Sequence, residues 1–143
     1  MQQQKKPLVQ LLFILSILFL GFGCKETKTE LSEQQVTVAF FDAIYNEKDL
    51  NKAIALSTEN FKNEMKKYQT ARNFARRLLN LYFDSVQIDA QKFDTQVIDE
   101  FNSKTTMTVL FTGERNGRLH KDIKKIILLK KGDAWLVDQV LDN

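Results

Sequence analysis

Cysteine, proline and histidine each occur once in these 143 residues, as Cys24, Pro7 and His120. A single thiol cannot close an internal disulfide, so an exported domain built from this chain is held by its core alone. One histidine and one cysteine cannot furnish a metal-ligand set, and no metal or cofactor is expected. Glycine is sparse, at five residues. No phosphate-cradling glycine loop and no Gly-x-Ser-x-Gly nucleophile elbow is present. A large excess of one charge is also missing, with 21 basic residues against 18 acidic ones, which argues against a dedicated polyanion binder. The aromatic positions among the basic residues of 61–77 read most simply as core, so nucleic acid is not an expected partner. After Pro7 no proline interrupts the chain, and no repeat, low-complexity run or internal linker divides it.

What is present begins with an export-type N-terminus. Lys5 and Lys6 form a positive n-region, Leu11 to Phe22 is apolar apart from Ser16, and Gly21 and Gly23 precede Cys24. The run falls short of the roughly 20 apolar residues a spanning helix needs. Its end, Leu20-Gly21-Phe22-Gly23-Cys24, resembles the lipobox of bacterial lipoproteins, with Gly21 where that family favours leucine. The resemblance implies removal of residues 1–23 and acylation of Cys24. The residues alone leave two other outcomes open: ordinary cleavage after Gly23, or retention of the segment as a short anchor. A diacylglyceryl plus N-acyl group would hold firmly, at ~0.8 kcal/mol per buried methylene. Lys25 after the cysteine points to the outer membrane over the inner, and to a cell-envelope domain facing the periplasm.

Residues 24–30 form a tether, and from Lys25 to Glu30 it reaches roughly 20 Å at full extension. The body, 31–143, fits a single domain. Without Lys5 and Lys6 the basic count falls to 19 against 18 acidic, a net charge of +1. Two segments are locally basic. Lys62, Lys66, Lys67, Arg72, Arg76 and Arg77 face only Glu64 between Phe61 and Arg77, and Arg118 to Lys131 holds only Asp122 against its cations. Each reads as a solvated face or, given the short tether, as a membrane-facing patch for anionic headgroups.

The body divides into a helical half and a strand half. Ser32-Glu33-Gln34-Gln35 is a capping box, and Leu31 and Val36 are placed as its hydrophobic staple. Val36, Phe40, Ala43 and Ile44, with Ala39 beside them, recur at helical spacing to about Tyr45. Asp49 can cap a short helix through Leu56, and a looser helical stretch covers Asn60 to Tyr68. Thr70 can cap a further helix carrying Phe74, Leu78, Leu81 and Tyr82 on one face.

From Ser85 the period falls toward two. Val86, Ile88 and Ala90 alternate with polar residues, Val97, Asp99 and Phe101 suggest a second strand, and Thr105 to Glu114 a third. Asn116-Gly117 is the strongest short hairpin signal, since both central positions of a type I′ turn need positive φ. Leu119 to Lys130 returns, Gly132-Asp133 turns again, and Trp135 to Asp142 closes the chain. Helices followed by strands imply an α+β layer structure. Two-residue turns pair Arg115 with Arg118, Met107 with Ile126, Thr105 with Leu128, and Leu128 with Val137. One face then collects Met107, Val109, Phe111, Ile126, Leu128, Trp135, Val137 and Leu141, expected beneath the helices. The other carries Leu110, Ile123, Ile127, Leu129, Leu136 and Val140. That is apolar for a solvated face, and it suggests cover by a second subunit or another chain segment. A bulge would exchange the two sets.

The opening Val38-Ala39-Phe40-Phe41-Asp42-Ala43-Ile44-Tyr45, then Lys48-Asp49-Leu50-Asn51-Lys52-Ala53, resembles the start of the NTF2-like (cystatin-like) superfamily. Lys130-Lys131-Gly132-Asp133-Ala134-Trp135-Leu136-Val137-Asp138 is similar to its final hairpin. The resemblance spans residues 31–143. It implies three helices against a curved sheet, a cavity inside the resulting cone, and frequent dimerisation through the outer sheet face. It implies no particular reaction.

Two function classes follow. One is a non-catalytic envelope lipoprotein that binds a partner, itself as a homodimer, or a small apolar ligand. The other is an isomerase- or dehydratase-type enzyme using a carboxylate and a tyrosine inside the cone. The residues offer Tyr45, Tyr68, Tyr82 and Asp99 for such a pair, with Asp138 expected on the outer face and His120 exposed at a hairpin. None forms a catalytic set from sequence alone, so the binding class is favoured. The interior discriminates: an open pocket with a carboxylate facing a tyrosine favours the enzyme, and one filled by Phe and Leu favours the binder.

Overall fold

A computed structural model describes residues 30–92, 97–99 and 102–141. The export segment, Cys24 and Phe101 lie outside the described residues. Among the described residues four helices precede five strands: α1 (Glu33–Tyr45), α2 (Leu50–Ala55), α3 (Glu59–Lys66), α4 (Ala71–Arg77), β1 (Ser85–Lys92), β2 (Val97–Asp99), β3 (Asn102–Arg115), β4 (Arg118–Lys131) and β5 (Ala134–Leu141). The strands form one antiparallel sheet in the order β1-β3-β4-β5, with β2 paired to the start of β3. The helices cover one face of it, and the architecture is α+β.

Local chemistry sets the helix starts. Ser32 accepts from the Gln35 N–H while the Gln35 side chain accepts from the Ser32 N–H, completing the capping box of α1. Asp49 accepts from Asn51 and Lys52 at α2, Thr58 from Phe61 at α3, and Thr70 from Asn73 at α4. Each cap satisfies a donor that a helix start would otherwise leave orphaned.

Helix α1 is apolar on two sides, not one. Phe40 meets Phe74 edge to face at 6.5 Å and Phe61 at 6.1 Å, on the helical side. Phe41 meets Phe111 of β3 edge to face at 4.9 Å, on the sheet side. A helix wedged between two layers needs a wider apolar arc than a surface helix, which is why Phe41 is buried along with the Val36, Phe40, Ala43 and Ile44 stripe. At its end Asn46 fastens α1 to the sheet. Its side chain donates to the Val86 carbonyl at 2.9 Å and accepts from the Val86 N–H at 3.2 Å.

Helix α4 is shorter than its apolar spacing suggests. Leu81 and Tyr82 were expected on it, but it ends at Arg77. The Leu79 N–H reaches back to the Phe74 carbonyl and the Leu81 N–H to that of Ala75, while Asn80 takes φ 48. This left-handed residue reverses the chain, turning Leu79 and Leu81 into the core and leaving Leu78 half-buried.

The sheet register agrees with the turn arithmetic through most of its length. Asn116 and Gly117 adopt φ 54 and 71, and Arg115 pairs with Arg118, Met107 with Ile126 and Thr105 with Leu128. Leu128 pairs with Val137 across the Gly132-Asp133 turn. Met107, Val109, Phe111, Ile126, Leu128 and Val137 are all buried beneath the helices. The last residues of β5 depart from it. The register shifts between Ile127 and Leu128, so Ile127 pairs with Gln139, Ile126 with Val140, and Lys125 with Leu141. Asp138 is left in the bulge. Val140, expected outside, packs against the core, and Leu141, expected inside, pairs beside Lys125 on the outer face.

The bulge coincides with a strap across the free edge of β5. Ser57 forms a parallel bridge to Val137. The Thr58 N–H donates to the Val137 carbonyl and the Val137 N–H to the Leu56 carbonyl, both at 2.8 Å. Thr58 Oγ1 also donates to Asp138 Oδ1 at 2.8 Å. The edge that would otherwise invite another strand is thereby partly closed.

Gly113 marks the tightest approach in the sheet. It lies between Val86 of β1 and His120 of β4, and a Cβ there would fall inside contact distance of the Ser85 carbonyl oxygen, with Phe83 and Val86 also too near. Because the obstruction includes backbone, it cannot swing aside. Gly113→Ala is expected to lower unfolding free energy by about 1–3 kcal/mol, as read from urea denaturation; an unchanged midpoint would contradict this packing.

Candidate functional site

The interior between helices and sheet is filled by rings. Phe41 meets Tyr45 at 6.3 Å, Tyr45 meets Phe83 at 5.5 Å and Phe111 at 5.6 Å, and Phe83 lies 6.0 Å from Phe111. On the helical side Tyr68 caps Phe74 at 5.6 Å. These spacings are those of packed aromatic pairs.

The tyrosines considered for acid–base work are engaged elsewhere. The Tyr45 hydroxyl donates to the Leu81 carbonyl at 3.2 Å in a buried setting. Tyr68 is half-buried against Phe74. Tyr82 is half-buried with Arg76 4.6 Å and Arg115 5.7 Å from its ring centroid, and its hydroxyl accepts from the Asn116 side chain at 3.4 Å. Asp138 accepts from Thr58 at the bulge, and Asp99 pairs through its backbone with Asn102. His120, expected to be exposed, is half-buried opposite Gly113, its Nδ1 3.4 Å from Arg115 Nη2. The structure does not bring these residues together as a catalytic set. Among the described residues, no group of three or more His, Cys, Asp and Glu side chains is placed to hold a metal ion.

Among the recesses of the described residues, two lie at the ends of α1. A cleft of about 60 Å³ lies at the C-terminal end of α1, between Ile44, Tyr45, Lys48, Arg72, Arg76, Tyr82 and Asp84. Its cations approach a helix C-terminus, where the backbone dipole favours positive charge and opposes an anionic ligand. The larger recess is a groove of about 580 Å³ at the opposite end of α1, lined by Leu31, Val36, Ala55, Leu56, Ala134, Trp135 and Leu136, with Glu30, Lys131 and Asp133 on its walls. That volume lies within the span of small-molecule sites, about 300–1,000 Å³, and its lining is mainly apolar. Lys130 Nζ stands 6.0 Å from the Trp135 ring centroid. The groove joins the start of α1, the end of α2 and the β4–β5 hairpin. Leu31, Val36 and Trp135 were each legible as apolar positions, but their convergence carries no local signature.

The basic residues of α3 and α4 are partly paired. Lys67 pairs with Glu64 at 2.6 Å, Lys62 lies 3.7 Å from Glu59, and Arg76 stacks on Tyr82. Lys66, Arg72 and Arg77 are exposed. The outer sheet face is more distinctive. Leu110 is 36 %, Ile123 47 % and Leu119 67 % exposed, while Ile127, Leu129, Leu136 and Leu141 are half-buried around them.

Burial pushes the Tyr45 phenol far above its ordinary value, and Asp122 adds to the effect. The folded protein thus keeps this proton at a pH where the unfolded chain, titrating at about 10, has released it. With more protons bound in the folded state, stability falls as pH rises beyond about 10, by up to about 1.4 kcal/mol per pH unit for this group. Tyr45→Phe loses a hydrogen bond worth about 1 kcal/mol but removes that slope. Its deficit against the parent should therefore shrink in alkaline denaturation series; curves that stay parallel would exclude the assignment.

No protein-family model matches this chain, and comparisons with curated proteins and with solved structures find no significant match.

Proposed function

We propose that this chain is a membrane-anchored cell-envelope lipoprotein whose α+β domain, of NTF2-like type, binds a partner or apolar ligand and performs no reaction. The filled interior is the observation that carries the non-catalytic reading. A carboxylate–tyrosine enzyme needs an open, polar pocket within hydrogen-bond reach of a substrate. Here rings occupy that space, and Tyr45 spends its hydroxyl on Leu81. The outward groove beside Trp135 offers an apolar ligand a mainly apolar lining. Anchoring is supported by the apolar run that ends at Cys24. The NTF2-like reading is supported by the helices-then-sheet order and the final hairpin at Gly132-Asp133.

The address is tested by intact mass of the chain extracted from membranes. The expected species begins at Cys24 and carries diacylglyceryl and N-acyl additions, while Cys24→Ala retains its first 23 residues. An unmodified thiol, or an N-terminus at Met1 in the parent, would remove the lipid anchor.

The apolar outer face supports a homodimer formed sheet to sheet through Leu110, Leu119 and Ile123. Sedimentation velocity of a soluble form beginning at Lys25 should show a dimer at tens of micromolar, and Leu110→Lys should shift it to monomer. A monomer in the parent would discard this interface.

A further inference from the structure

We infer that the groove around Trp135 is the membrane-facing end of the domain and seats on the phospholipid leaflet, which supplies the apolar groups that fill it. The inference rests on the anchored reading above and names the occupant of that site.

Chain connectivity supports it first. Glu30, where the described chain begins, is itself on the groove wall beside Leu31. The apolar run Leu11–Phe22 and Cys24 lie just upstream. Six residues, Lys25 to Glu30, separate Cys24 from Leu31, and they reach roughly 20 Å at most. Whatever holds the N-terminus at a bilayer therefore holds this end of the domain nearest to it. The basic cleft of Arg72 and Arg76 shares its walls with Ile44 and Tyr45, at the other end of α1. Thirteen helical residues set the two ends about 20 Å apart.

The chemistry of the rim supports it independently. Leu31 is 42 % exposed, and Trp135 and Leu136 are half-buried at the open side. Lys130 lies over the Trp135 ring at 6.0 Å, and Lys131 is exposed on the adjoining turn. An aromatic ring with lysines at its border suits the headgroup boundary, where apolar bodies enter lipid and long cationic side chains remain in water. Glu30 and Asp133 balance Lys130 and Lys131. The contact is accordingly driven by apolar burial and needs no anionic lipid, unlike one made by the α3–α4 cations.

Trp135 is the sole tryptophan, so its fluorescence reports this groove alone. The full chain, purified from membranes and reconstituted into phosphatidylcholine vesicles, is compared with the same chain in vesicles whose acyl chains are brominated. Bromine quenches only at contact range. The expected result is co-flotation with both vesicles and loss of about half or more of the Trp135 emission in the brominated ones, unchanged at high salt. Leu31→Asp, at an exposed position, should co-float and keep the parent's circular dichroism yet recover most of the emission. Co-flotation with unquenched Trp135 overturns the inference while leaving the anchor intact, as for a groove holding a soluble ligand or a second copy. Quenching that disappears in high salt assigns the contact to basic side chains and also overturns it. Failure to co-float removes both the anchor and the seating.

Discussion

Helix α1 has to satisfy two hydrophobic layers at once, and the rest of the domain is arranged around that demand. Adjacent residues on a helix point about 100° apart, so Phe40 and Phe41 face different neighbours. Phe40 goes to Phe61 and Phe74 of the smaller helices and Phe41 goes to Phe111 of the sheet. Most of the contact between the two layers runs through α1. The aromatic fill that results stabilises the domain and occupies the space a substrate would need, so one packing solution bears on both stability and function.

The fold manages its exposed surfaces unevenly. The free edge of β5 is strapped by the Leu56–Thr58 segment, with Thr58 both capping α3 and bonding Asp138. The groove beside Trp135 and the outer sheet face receive no such cover from the described chain. Their positions differ: the groove adjoins Glu30 and Leu31 at the start of the described chain, whereas the outer face lies across the sheet from the helices. An anchored protein can use the first against lipid and the second against a copy of itself without conflict.

Much of the architecture was legible because it is encoded locally. The capping box at Ser32, the caps at Asp49 and Thr70, and the type I′ hairpin at Asn116-Gly117 each depend on a few adjacent residues. The pairing of Met107 with Ile126 and of Leu128 with Val137 then follows by counting outward from a turn. Counting failed at Asp138, because the bulge there accompanies bonds to Thr58, eighty residues away in sequence. It failed again at Leu81 and Tyr82, whose spacing continues the helical stripe although Asn80 reverses the chain before them. His120 was read as an exposed hairpin residue, and its half-burial depends on which face of β4 turns toward Gly113.

The candidate site was the least legible feature, since Leu31, Trp135 and Leu136 are unremarkable apolar residues until α1 and the last hairpin are brought side by side. By itself the amino-acid order determined the export-type run, the lone thiol, the helix starts, the hairpin turns and the α+β succession, because each is a property of near neighbours. Only tertiary packing decided that the interior closes on rings, that the end of β5 changes face, and that an apolar groove opens beside Leu31 at the start of α1. Those outcomes depend on contacts between segments far apart along the chain, whose geometry exists only once the layers have met.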